Sequence, residues 1–148
     1  MITQVDENAM NWLRSGDEEY ISGDLEGAAD KYETVLLAKE LDLSPYVRAN
    51  AHYNIAMVRF EEGRYRIAAD HLNQCIAHLQ EYQGKNNRLH VPAMSIYKFA
   101  HVLLKETARM ESQKKNEEQN TVAIKQEDVD SIFPPSVLKK RRGAKRCP

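Results

Sequence analysis

His71, Cys75 and His78 carry the residue types of a zinc site. Spaced by four and then three residues, they fall on one face of any helix that contains them. A closed zinc site needs four ligands, and no fourth of suitable type accompanies them. Cysteine is also commonly a small buried apolar residue. No metal and no cofactor is therefore assigned. Glu61-Glu62 and Asp17-Glu18-Glu19 are paired acids of the kind used in general acid–base chemistry, but charge runs on helices usually form solvated faces. The remaining histidines, His52, His90 and His101, are scattered, and there is no glycine loop to cradle phosphate. Nothing assembles a nucleophile, a base and an orienting group. The chain reads as a non-enzyme without catalytic residues.

The elements that would position these side chains repeat. Gly63-Arg64-Tyr65-Arg66-Ile67-Ala68-Ala69 follows one apolar helix and opens another, and Gly23-Asp24-Leu25-Glu26-Gly27-Ala28-Ala29 does the same 40 residues earlier. At that offset Trp12 matches His52, Ser15-Gly16 matches Ile55-Ala56, and Tyr20 matches Phe60. Leu25 matches Tyr65, Ala28 matches Ala68, Tyr32 matches Leu72 and Val35 matches Cys75. Large apolar residues match large ones at most of these places, and small residues match small ones where two helices must approach closely. A fixed period of this size signals a repeat array.

Through Trp12, Gly16, Gly23, Ala28 and Tyr32, and then Ile55, Ala56, Gly63, Tyr65, Ala68 and Cys75, the chain resembles the tetratricopeptide repeat, a helix-turn-helix unit. The resemblance covers about half the chain. His52 for Trp and Cys75 for Ala depart from the family pattern. The family period is about 34 residues; the extra residues here fall in 36–45, a feature similar to the long-period members such as the Pins-type adaptors. The expected fold is all-α, a helix-turn-helix solenoid over residues 1–115. Its repeats span about 9–42 and 49–82, with a capping helix near 92–113. Residues 116–148 are expected to form a disordered tail.

The 148 residues suggest one domain; 42% are hydrophobic and 29% charged, and the net charge is −1. That balance excludes whole-molecule electrostatic binding to nucleic acid. The acidic, apolar-poor opening resembles neither a secretory signal nor a transit peptide, and no stretch approaches a membrane span. Two distant cysteines suggest a reducing compartment. Ser44-Pro45 is a helix start, with serine as cap and proline in the first turn. The fifth helix holds Met94, Ile96, Tyr97, Phe99, Val102, Leu103 and Leu104, which cover most of its circumference. No following helix is expected to cover it. It is therefore either a cap or, through Phe99, Val102 and Leu103, a face for a partner or for a second copy in a homodimer.

The resemblance implies a concave surface lined by the first helix of each repeat. It places Met10, Leu13, Arg14, Asp17 and Tyr20 there from repeat one, and Asn50, Tyr53, Asn54, Met57 and Phe60 from repeat two. Met94, Tyr97, Lys98, His101 and Leu104 follow from helix five. Aromatic and methionine side chains with a few polar ones suit a peptide or helix with apolar anchors. Cochaperone members of the family clamp a C-terminal carboxylate with lysines and asparagines. Asn54 and Lys98 would fit such a clamp. Leu13, Asp17 and Met94 occupy its other places, and an aspartate there repels a carboxylate.

The tail holds Lys139, Lys140, Arg141, Arg142, Lys145 and Arg146 with no acid among them. The cluster resembles a nuclear-import signal, or an arm that contacts phosphate. Ile124-Lys125-Gln126-Glu127 resembles the acceptor for SUMO modification at Lys125. Two functions follow as expectations. One is a nuclear adaptor that grips a protein partner, with a cytoplasmic cortical, motor or cochaperone-type adaptor as its variant. The other is a nucleic-acid-associated factor using the tail.

Overall fold

The structure, a computed structural model, describes residues 3–38, 42–86 and 91–132, with side chains described to residue 83 of the fourth helix and residue 121 of the fifth. Among the described residues the fold is all-α: α1 (Gln4–Ser22), α2 (Leu25–Leu37), α3 (Pro45–Glu61), α4 (Tyr65–Asn86) and α5 (Val91–Ile132). The chain divides into two compact units, Met1–Glu111 and Ser112–Pro148. The first holds four helices and the opening of α5; the described part of the second is the continuation of α5.

The starts of three helices are written as caps. Thr3 Oγ1 accepts from the Asp6 N–H at 3.1 Å, Asp24 Oδ1 from Gly27 at 2.9 Å and Ser44 Oγ from Val47 at 3.4 Å. The two glycine turns agree bond for bond. Gly23 N–H donates to Tyr20 O at 3.1 Å and Asp24 N–H to Glu19 O at 2.9 Å; Gly63 N–H donates to Phe60 O at 2.9 Å and Arg64 N–H to Arg59 O at 2.8 Å. Both glycines are left-handed, with φ of 93° and 76°. An added Cβ would meet nothing within 4 Å at either, so the backbone angle alone demands glycine.

Two apolar clusters follow from these hairpins. The first joins Ala9 and Leu13 of α1, Ala28, Ala29, Tyr32 and Val35 of α2, and Val47, Ala51, Ile55 and Val58 of α3. The second joins Ala49 and Ala56 of α3, Ala68, Leu72, Cys75, Ile76 and Leu79 of α4, and Ala93 and Ala100 of α5. Helix α3 thus supplies both clusters from different sides. At the 40-residue offset, its Val47, Ala51, Ile55 and Val58 correspond to Glu7, Asn11, Ser15 and Glu18 on α1, all polar and open or half-open to solvent. The outer side of α1 therefore presents no apolar stripe for another hairpin to cover, as at the end of a repeat array.

Helix α5 runs further than its composition suggests. Expected to end near Gln113, it continues to Ile132. Residues 112–132 are polar but contain no glycine or proline and are rich in Glu, Gln and Lys, which favour helix. Residues 133–148 lie outside the described residues.

The close approach of α1 and α2 is set by one complementary pair. A Cβ on Gly16 would lie 2.5 Å from Tyr32 Cε1. In repeat two the same places hold Ala56 and Leu72, both fully buried. A wider ring is met by a smaller helix residue, and the reverse. Alanine in a helix interior ordinarily gains about 0.5–1 kcal/mol over glycine, while overpacking costs about 1–3 kcal/mol. Gly16→Ala is therefore expected to destabilise the protein by about 1–2 kcal/mol net in urea unfolding. Gly16→Ala with Tyr32→Leu, which copies repeat two, should show a favourable coupling of about 1 kcal/mol in a double-mutant cycle. Simple additivity would mean that the Tyr32 ring does not set this spacing.

Candidate functional site

Helix α3 is held on two sides, and this decides which of its residues stay accessible. Val47, Ala51, Ile55 and Val58 bury toward α2, and Ala49, His52 and Ala56 bury elsewhere on the helix. Six of the half-open residues form a stripe at helical spacing: Tyr46, Asn50, Tyr53, Asn54, Met57 and Phe60. Five of these six are the residues that the repeat frame assigns to the binding face. Asn50 Nδ2 lies 3.9 Å from Met10 Sδ, and the Tyr20 hydroxyl donates to Glu61 Oε1 at 3.3 Å, so α1 adjoins the stripe. Burial and Glu61 raise the Tyr20 pKa above the phenol value. Tyr53, Phe60 and Tyr97 are half-buried against the second cluster. The Phe60 ring meets the Tyr65 edge, and Tyr97 meets His101 edge-on at 4.6 Å. Met94, Lys98 and His101 are exposed.

Two expected surface residues, Leu13 and Leu103, are placed differently, and a third, Asp17, is engaged within the fold. Leu13 is 2% exposed and belongs to the first cluster, so it lines no accessible face. Together with Ala9 and Gly16 it forms the buried stripe of α1, where a branched apolar side chain gains most from leaving water. Asp17 is exposed, but its Oδ1 accepts from the Tyr32 hydroxyl at 2.5 Å, so it serves the α1–α2 hairpin. Leu103 packs against the second cluster, whereas Phe99 and Val102 are 57% and 66% exposed. Only these two of the expected apolar face on α5 are open. Lys125 lies within α5, beyond the residues whose side chains are described, and Lys139, Lys140, Arg141, Arg142, Lys145 and Arg146 lie outside the described residues.

Neither a family model, nor a curated protein, nor a solved structure matches the chain.

His71, Cys75 and His78 do not share one environment. Cys75 turns into the second apolar cluster, where burial pushes its thiol up to about 12. His71 and His78 flank His52 of α3 instead. His52 Nδ1 and His71 Nδ1 are 3.0 Å apart, so one must donate and the other accept. The His78 ring lies on the other side, stacked on His52 at 5.4 Å. Sequence reading treats His52 as a stand-in for tryptophan and misses this cluster, because its pairs cross between helices. The only available signal is three histidines at positions that the repeat alignment brings to one hairpin. Among the described residues no group of three or more His, Cys, Asp or Glu is placed to hold a metal ion. Among them, too, no helix is long and apolar enough to cross a membrane.

All three imidazoles are held below their ordinary value, each mainly by burial. His52 falls to about 4, helped by His71, His78 and Arg48. At His71, Arg59 lowers the value further while Glu33 and Asp70 oppose it; at His78, Glu81 opposes and Arg48 assists. Because the folded values lie below the unfolded one, the unfolded chain binds more protons in acid. The stabilisation is therefore complete above the unfolded value of 6.5 and is lost as pH falls toward about 4. For His52 the loss is roughly 3 kcal/mol. Urea midpoints are expected to drop steeply between neutral pH and pH 5, and His52→Gln should remove about one proton from that dependence. An equal slope in the variant would assign the effect to other groups.

Proposed function

We propose that the chain is a non-enzymatic adaptor of the tetratricopeptide-repeat type that takes a peptide or helix of a partner protein and works in the nucleus. The supporting observation is the half-open stripe on α3. Helix packing takes most other positions of that helix, yet Asn50, Tyr53, Asn54, Met57 and Phe60 keep accessible surface. Amide side chains among aromatic rings and a methionine give hydrogen bonds for a partner's backbone and adaptable apolar contact for its side chains. Met10 and Tyr20 of α1 extend the stripe on one side.

Met57→Asp and Asn54→Lys are expected to deplete captured partners from the full chain in affinity purification with mass spectrometry. Their melting temperatures should stay within a few degrees of the parent, since both positions are half-open. The same partner set in both variants would refute the stripe as the binding face. A cytoplasmic adaptor, and a nucleic-acid-associated factor acting through the tail, are the alternatives. Replacing Lys139, Lys140, Arg141 and Arg142 with alanine should move a tagged full chain from nucleus to cytoplasm; unchanged nuclear residence would remove the import reading.

A further inference from the structure

We propose that His52, His71 and His78 form a proton-operated clasp, which holds α4 against α3 and loosens when His52 and His71 are both protonated. The contact that decides this joins His52 Nδ1 and His71 Nδ1, 3.0 Å apart. In the neutral pair one ring donates from Nδ1, and the other accepts there while carrying its own hydrogen on Nε2. A first added proton enters on Nε2 of the donor ring, and the bond between the helices survives. A second has only the accepting Nδ1 left. It removes the lone pair that holds the bond and sets two cations face to face. The contact therefore takes one proton and breaks on the next.

The charges around the clasp give the second proton little relief. The groups that act on His52 are His71, His78 and Arg48, all cationic or able to become so. At His71 the Arg59 charge is opposed by Glu33 of α2 and Asp70 of α4, and Glu33 is already bound to Arg59 at 2.6 Å. His78 stacks on His52 and has Glu81 Oε2 3.7 Å from its Nδ1, so its own charge is met. Asp6 of α1 and Asp42 line the hollow that Arg48, His78 and Glu81 share, and Asp6 already accepts from the Ser44 N–H at 2.9 Å. On α4, Cys75 lies between His71 and His78, 0% exposed, in the cluster on which Tyr53 and Phe60 of the α3 stripe rest. Burial, and then Cys75 beside it, raise the Tyr53 pKa above the phenol value. Helix α4 cannot leave His52 without uncovering Cys75 and withdrawing the support of Tyr53. Acid therefore weakens the hold of the stripe, a consequence that rests on the stripe being the binding face.

Cys75 reports on the clasp in the full chain with no partner present. Its labelling by dithiodipyridine, which reacts with thiols even in acid, is compared at each pH with that of the same chain unfolded in urea. Peptide mapping separates it from Cys147. Protection of Cys75 is expected to fall about tenfold or more between neutral pH and pH 5, with more than one proton taken up per opening, before helical circular dichroism declines. His71→Gln keeps a hydrogen-bonding side chain that cannot charge, and should reduce the uptake by about one proton. Three results would each overturn the clasp: protection that does not change with pH, protection lost only in step with helicity, or undiminished proton uptake in a variant that melts with the parent. If His71→Gln melts lower, the first two readings on the parent chain decide alone. An unchanged partner set in Met57→Asp would remove the stripe as the binding face and leave the clasp standing.

Discussion

Helix α3 has to bury apolar side chains on two sides at once, and most of the structure follows from that. Ile55 and Val58 belong to one cluster, and Ala49 and Ala56 to the other. A helix so placed has little circumference left. The stripe from Asn50 to Phe60 is what remains, and it cannot turn inward without exposing one cluster or the other. Arg59 then ties the arrangement across the repeats, donating to Glu33 of α2 at 2.6 Å and to Glu62 beyond its own helix at 2.8 Å. With only 16% of its side chain exposed, it is shielded from solvent more than most surface ion pairs.

The parts of this fold that the sequence reveals are those in which one residue has one physical solution. Gly23 and Gly63 are legible because a left-handed turn excludes other residues at low cost. Ser44-Pro45 is legible because its serine caps and its proline fits only a first turn. The α3 stripe is legible because period and repeat frame agree there. The end of α5 is not, since polarity does not stop a helix and only a breaker does. Leu13 shows the limit of a repeat frame: it places a residue at an angle on the helix, but the neighbouring α2 decides whether that angle is open.

The histidine cluster illustrates a different limit. The separation of His52 and His71 in the chain says nothing about which ring nitrogen faces which. Three imidazoles come together only when α3 and α4 pack.

Another consequence follows from how the helices neighbour one another. Contacts join α1 to α2, α2 to α3 and α3 to α4, with α1 also touching α3. Nearly every packed pair is close along the chain, so little loop entropy is spent before native contacts form. Helix α3 touches both neighbours and is a natural place for order to begin. Structure can then spread outward one hairpin at a time, in the manner of arrays stabilised by adjacent units. Among the described residues the polar outer side of α1 bounds that spread.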